Sequence, residues 1–185
     1  MSTPRLTRAE LGSYAGRTIP DLLPDPLRLL VVGINPGLVS AATGLHFARP
    51  GNRFYPALQA AGIIASVTAE EAQPELLAAG VGITNLVARA SARADELDDD
   101  EVRAGRSRLE QLVAQRRPQV VAVAGITSYR TAFDERRAVP GRQPRDLGDA
   151  QLWVVPNPSG LNAHETVASL AAAYAEPARA AGVLT

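Results

Sequence analysis

Two asparagines, each followed at once by proline, are the residues of this chain best suited by type and spacing to chemistry. Asn35-Pro36-Gly37 follows one apolar run, and Asn157-Pro158-Ser159-Gly160 follows another. Proline fixes the backbone beside each asparagine and glycine lets the chain approach a ligand closely, so each amide is held in one direction. A held amide can orient a water or a polar substrate edge. It cannot take up a proton, so it is no general base. Either loop alone reads first as a turn, and only their pairing points to a site. Near Asn35 lie Ser40, Thr43, Gly44, His46, Phe47, Arg49, Asn52 and Arg53, a polar and basic set around one aromatic ring. Phe47 could stack on an unpaired base, or equally plug into the core.

The composition closes most other routes. With no cysteine the chain has neither disulfide nor thiolate chemistry, and its two histidines, His46 and His164, show no metal-ligand spacing. No metal and no cofactor are therefore expected. A Gly-x-x-x-x-Gly-Lys loop and a dinucleotide fingerprint are both missing, which argues against a phosphate-binding metabolic enzyme. The 19 basic residues cancel the 19 acidic ones, so a nucleic acid would have to be held by a local basic face. With 185 residues, 46% hydrophobic and 21% charged, the expectation is one globular domain over 1–185, with 1–25 as a lead-in. The first 16 residues carry no apolar run, and no stretch approaches the roughly 18 apolar residues that span a bilayer. A cytoplasmic protein with no membrane partner is expected, associated with the nucleoid when it acts on DNA.

Such residues need rigid elements beneath them. Apolar runs of strand length alternate with segments of helical period, which predicts an α/β domain with helices packed on a mostly parallel sheet. Leu29 to Ile34 is a first strand, near-continuously apolar as a strand covered on both faces should be, and a glycine-rich polar loop runs on to about Asn52. Arg53 to Ala61 reads as a helix closed by Gly62, Ala69 to Ala79 as another, and Val81 to Thr84 as a short strand. Asp98, with Glu101 three residues later, starts a helix that runs to about Arg116, before Pro118. Val120 to Ala124 is a strand, and Thr127 to Phe133 a helix. The Arg-, Asp-, Gly- and Pro-rich stretch Asp134 to Asp149 reads as a solvated excursion without function, with room for a short strand. Leu152 to Val155 is the last strand, and His164 to Ala181 an alanine-rich closing helix. Both Asn-Pro loops then leave the carboxyl ends of parallel strands, the edge at which open α/β folds bind ligands.

Gly33-Ile34-Asn35-Pro36-Gly37, then Asn52-Arg53-Phe54-Tyr55, then Pro156-Asn157-Pro158-Ser159-Gly160-Leu161-Asn162 carry a resemblance in order and spacing from about Leu29 to Tyr174. Together they resemble the mismatch-specific uracil-DNA glycosylase family, relatives of thymine-DNA glycosylase within the uracil-DNA glycosylase superfamily. The resemblance implies a single three-layer α/β/α domain around a mainly parallel four-stranded sheet, in line with the class read from the residues. It implies a monofunctional repair enzyme that flips uracil, chiefly opposite guanine, out of double-stranded DNA and hydrolyses its N-glycosidic bond, leaving an abasic site. The implied partner is double-stranded DNA with a mismatched or damaged base, the implied state a monomer. By motif position, the resemblance implies that Asn35 orients the attacking water, Phe47 stacks on the flipped base, and Gly37 to Ser40 line the pocket, Ser40 crowding a 5-methyl group. Thr84-Asn85-Leu86-Val87 also matches, with Asn85 facing the pocket, and Asn157 would receive charge developing on the leaving uracil. Ser159-Gly160-Leu161-Asn162 would enter the duplex, Leu161 filling the hole. Leu161 also reads as a buried helix cap, and Asn162 as an N-cap.

Some positions depart from that family's pattern. Asn35 stands where the family's stronger relatives carry aspartate, which implies slow turnover. Asp95 stands where a bacterial relative more often has an uncharged residue, and it could be the base that Asn35 is not. Alternatively Asp95 and Glu96 belong with Asp98 to Glu101 to an acidic helix start. Ala163 replaces a frequent arginine, implying a weaker grip on the opposite strand. Arg49, Arg53, Arg89 and Arg93 flank the motif loops as candidate phosphate contacts, as do His164 and Thr166 at the last helix. The opposing expectation is a catalytically idle α/β module that binds a nucleotide or DNA lesion in the same crevice.

Overall fold

Runs of valine, leucine and alanine without a charge become the centre of a sheet, because only a strand covered on both faces can be apolar throughout. In the computed structural model, which describes residues 6–185, these are β1 (Leu29–Gly33), β2 (Val81–Asn85) and β3 (Val120–Ala124), with every residue buried. With β4 (Gly141–Leu147) and β5 (Ala150–Val155) they form one sheet in the order β2-β1-β3-β5-β4. All pairs are parallel except β4 with β5.

Alternate residues feed opposite layers. Leu29, Val31, Val120 and Ala122 pack with Phe54, Leu58, Leu76, Leu170 and Tyr174 on one face. Leu30, Val32, Val121 and Val123 pack with Val102, Leu109, Val113, Tyr129 and Phe133 on the other. The helices that supply them, in chain order after α1 (Arg8–Gly12) and α2 (Leu38–Thr43), are α3 (Phe54–Ala60), α4 (Ala69–Ala79), α5 (Asp99–Arg116), α6 (Ile126–Phe133) and α7 (Val167–Ala180). The α5 start is held as the Asp98–Glu101 spacing predicts, the Glu101 carboxylate accepting from the Asp98 N–H at 3.0 Å.

Three expectations are corrected. The sheet has five strands rather than four, because seven residues of the excursion form β4. It is an edge strand on which buried Gln143 and Leu147 alternate with charged Arg142 and Asp146, so its apolar content is too low to announce a strand. The polar loop after β1 contains α2, which ends at Gly44 with φ 74°, a left-handed position that suits glycine. The last helix starts at Val167 with Thr166 as its N-cap, so His164 precedes it and Asn162 is not the cap.

The chain leaves β1 toward β2 on one side and leaves β3 toward β5 on the other. Strand order reverses between β1 and β3, which opens a crevice at their carboxyl ends.

Candidate active site

A cleft of about 400 Å³ occupies that crevice, walled by Gly33 at the end of β1 and Asn35 after it, Asn85 on β2, Ala124 on β3 and Asn157 after β5. The Asn35 side chain is pinned from below. Its Nδ2 donates to the Ser91 hydroxyl at 2.8 Å and to the Arg89 carbonyl at 3.1 Å. A carbonyl can only accept, and the Ser91 hydroxyl already donates to the Arg93 carbonyl at 2.7 Å, so the amide has one orientation. Its Oδ1, with no donor among the described residues, is left to the cleft as an acceptor.

Asn157 is pinned in the opposite sense. Its Oδ1 accepts from the Ser159 N–H at 2.9 Å, which leaves Nδ2 as the free donor. Asn85 is buried at the end of β2, and a Cβ added to Gly33 would stand only 2.5 Å from its Oδ1. Glycine at 33 thus lets a third amide reach the cleft floor.

Phe47 belongs both to the core and to the cleft wall. Its ring packs on the core, stacked on Phe54 with centroids 4.1 Å apart, and it also lines the cleft. The backbone there has φ 52°, unusual for an aromatic residue, and the surroundings hold it. The Tyr55 hydroxyl donates to the neighbouring His46 carbonyl at 2.6 Å and accepts from Gln73 Nε2 at 3.1 Å. Burial pushes the Tyr55 phenol up to about 12, so it stays a donor at neutral pH. Burial also lowers the pKa of His46, whose ring nitrogen lies 2.9 Å from the Pro20 carbonyl. Ser40 is buried on α2 beside the cleft, its hydroxyl accepting from the Ala48 N–H at 3.4 Å, and Gly37 caps the start of that helix.

Leu161 is 74% exposed, the most exposed large apolar side chain among the described residues, and lines the same cleft. The buried-cap reading therefore fails. Its loop is closed by the Asn162 N–H on the Ser159 carbonyl at 3.0 Å and by Asn162 Nδ2 on the Asn157 carbonyl at 3.1 Å. Gly160 packs so closely on the Gly51 carbonyl that a Cβ would stand 2.4 Å from its oxygen.

The basic residues part company. Arg49 is exposed on the cleft wall. Arg53, expected at phosphate, is half-buried instead and donates to the carbonyls of Ser159, Asn162 and Glu165. Arg89 is held by Glu101, whose carboxyl it lowers to about 2. Asp95 lies in a short 3-10 turn, Ala94–Glu96, on the cleft wall, bonded by Arg93. That hydrogen bond holds its carboxyl below the ordinary value, so it is ionised at neutral pH.

Sequence reasoning missed Ser91, which has no motif and lies 56 residues from the amide it holds. It also missed the Tyr55 hydroxyl, although the Asn52-Arg53-Phe54-Tyr55 motif contains it.

A solution NMR structure from Methanosarcina acetivorans, described as that of a "putative Uracil DNA glycosylase", is similar to this chain at a TM-score of 0.59 and 17% identity, covering 87% of this chain and 97% of that one. At that identity it speaks for the fold, an α/β sandwich with a mainly parallel sheet. The sequence itself matches the family described as Uracil DNA glycosylase superfamily over residues 20–177, from the segment before β1 into α7 and across the loops that follow β1, β2 and β5. By that match the chain belongs to the uracil DNA glycosylase superfamily.

Proposed function

We propose that this protein is a monofunctional DNA glycosylase that releases uracil, chiefly from mismatches with guanine in double-stranded DNA. One observation carries the reading: the free acceptor of Asn35 and the free donor of Asn157 belong to a single cleft whose lining includes the exposed Leu161.

A base stacked in a duplex cannot reach such a cleft, so the nucleotide must be extruded, and a mismatched pair is cheaper to open. Leu161 fills the vacated space as an apolar wedge. The extruded base lies against Phe47, and the Asn85 amide, offering one acceptor and one donor, matches the N3–H and O4 of uracil. The Asn35 Oδ1 accepts a hydrogen bond from a water molecule and so turns the water's lone pair toward the anomeric carbon. As the glycosidic bond breaks, the sugar becomes oxocarbenium-like and the base leaves as an anion. The Asn157 Nδ2 donates to that anion, and the ionised Asp95 stabilises the sugar or takes the proton from water.

None of the 185 residues is a lysine, all 19 basic residues being arginines. No side-chain amine is therefore available to form a Schiff base with the abasic sugar, which supports hydrolysis without strand cleavage.

The test is base release from labelled duplexes carrying uracil opposite guanine, uracil opposite adenine or thymine opposite guanine, with chelator present and alkali to reveal abasic sites. Release confined to uracil opposite guanine is the expected result. Release from every uracil context would remove the mismatch preference and raise the weight of Asp95. No release from any, with binding retained, would make the chain an idle lesion-binding module.

A further inference from the structure

Arg53 stands beneath the loop that joins β5 to α7 and is bonded to that loop along its whole length. Its backbone N–H donates to the Pro158 carbonyl at 2.9 Å. Its guanidinium donates to the carbonyls of Ser159 and Asn162, at 2.6 Å each, and to that of Glu165. Its Nε is buried without a partner, and no carboxylate among the described residues lies within ion-pair distance. A half-buried guanidinium with no counter-ion needs dipoles to converge on it, and here the main chain of the loop bends round to supply them. The adjoining Gly51 carbonyl is the surface on which Gly160 packs.

Leu161 lies between two of those carbonyls and is held out to solvent. A free apolar side chain would collapse onto the surface, and re-ordering the loop on each encounter with DNA would cost conformational entropy. Bonds to residues 159 and 162 remove that freedom from the main chain on both sides of Leu161 without using its side chain.

We propose that Arg53 is a positioning residue that holds the duplex-entering loop in its inserting shape, so that Leu161 meets DNA already extended. This rests on the glycosylase reading for what the wedge enters, though not for the clamp itself. Arginine is required because three diverging carbonyls match a planar fork, which an ammonium group cannot span.

The full chain is titrated with a duplex that carries a stable abasic-site analogue opposite guanine and 2-aminopurine beside it, reading Kd and the fluorescence rise on unstacking. Leu161→Ala and Arg53→Gln are each expected to weaken binding about tenfold and abolish the rise, and the double variant to be no weaker than either, because both act through one wedge. Arg53→Lys should recover only part of the loss. Additive losses, with a salt dependence lowered by about one phosphate contact in Arg53→Gln, would make Arg53 a phosphate ligand and overturn the proposal. Unchanged fluorescence in Arg53→Gln would also overturn it, as would a parent protein that produces no rise. If Arg53→Gln fails to fold by circular dichroism, Gly160→Ala replaces it, displacing the same seat with Arg53 intact. A loss non-additive with Leu161→Ala supports the clamp, and an additive loss or none overturns it. No base is released from this duplex, so a chain inactive in the glycosylase assay that still gives this pattern keeps the clamp and loses only the glycosylase reading.

Discussion

The loops after β1 and β5 both begin with asparagine and proline at the carboxyl ends of parallel strands, yet the fold uses the two amides in opposite senses. Asn35 spends its NH₂ on Ser91 and the Arg89 carbonyl and keeps an oxygen for the cleft, whereas Asn157 spends its oxygen on the Ser159 N–H and keeps an NH₂. One dipeptide thus yields an acceptor on one wall and a donor on the other. The lesson is that an amide's role is set by which of its ends the protein has already satisfied.

Breaking the acceptor side should have the largest effect. Asn35→Ala is expected to lower single-turnover base release on the order of 10²–10³-fold, by analogy with removing one group aimed at the reacting centre, while Kd for the duplex stays within about threefold. Equal release by mutant and parent would remove Asn35 from the chemistry. Asn157→Ala comes next, at about 10²-fold, because a leaving anion loses one donor. Its effect should shrink on uracil carrying an electron-withdrawing 5-substituent, which leaves more readily, whereas that of Asn35→Ala should persist. If both variants respond alike to the leaving group, the acceptor and donor roles are not divided as drawn.

Ser91→Ala sharpens the comparison from behind, removing one of the two acceptors that fix Asn35. About a tenfold fall in release is expected from one lost buried hydrogen bond, with no change in duplex binding, and a fully active variant would show the Arg89 carbonyl to be sufficient. The smallest effect is a shift of profile. With Asp95 as the proposed carboxylate, whose pKa the Arg93 hydrogen bond lowers below 3.8, release should be flat through neutral pH and fall only as pH drops through that lowered value. Arg93→Gln removes the largest cause of the shift and should move the acid limb upward, toward 3.8. A pH–rate series with and without Arg93 checks this, and an acid limb that stays put, or full release by Asp95→Ala, would leave Asp95 as no more than the ion-pair partner of Arg93, since its 3-10 turn already separates it from the start of α5.

Much of this frame was legible beforehand. The charge-free run at Leu29 to Val32 can only be a strand covered twice, and Asp98 with Glu101 marks a helix start by local spacing alone. Where signals were local but weak, they were lost. β4 carries arginines and an aspartate on its open side, and α2 is a single turn and a half between glycines, so neither has the apolar period that identifies an element. At the cleft, the residue types at Asn35, Phe47, Asn85, Asn157 and Leu161 were readable as candidates, while Arg53 was misread. A solvated arginine beside a motif and an arginine turned inward onto carbonyls look identical along the chain.

Residue types and contacts within a few residues are enough for the α/β class, the placing of two amides at strand ends and the absence of thiol and lysine side-chain chemistry. Tertiary structure alone decided which atom of Asn35 faces the cleft and that Arg53 supports the Leu161 loop, whereas Asn157 is set locally by the Ser159 N–H two residues on. The deciding hydrogen bonds join residues 54 and 56 apart for Asn35 and 106 to 112 apart for Arg53. Those two side chains are committed only when the fold brings their distant partners within about 3 Å, and no local pattern records that meeting.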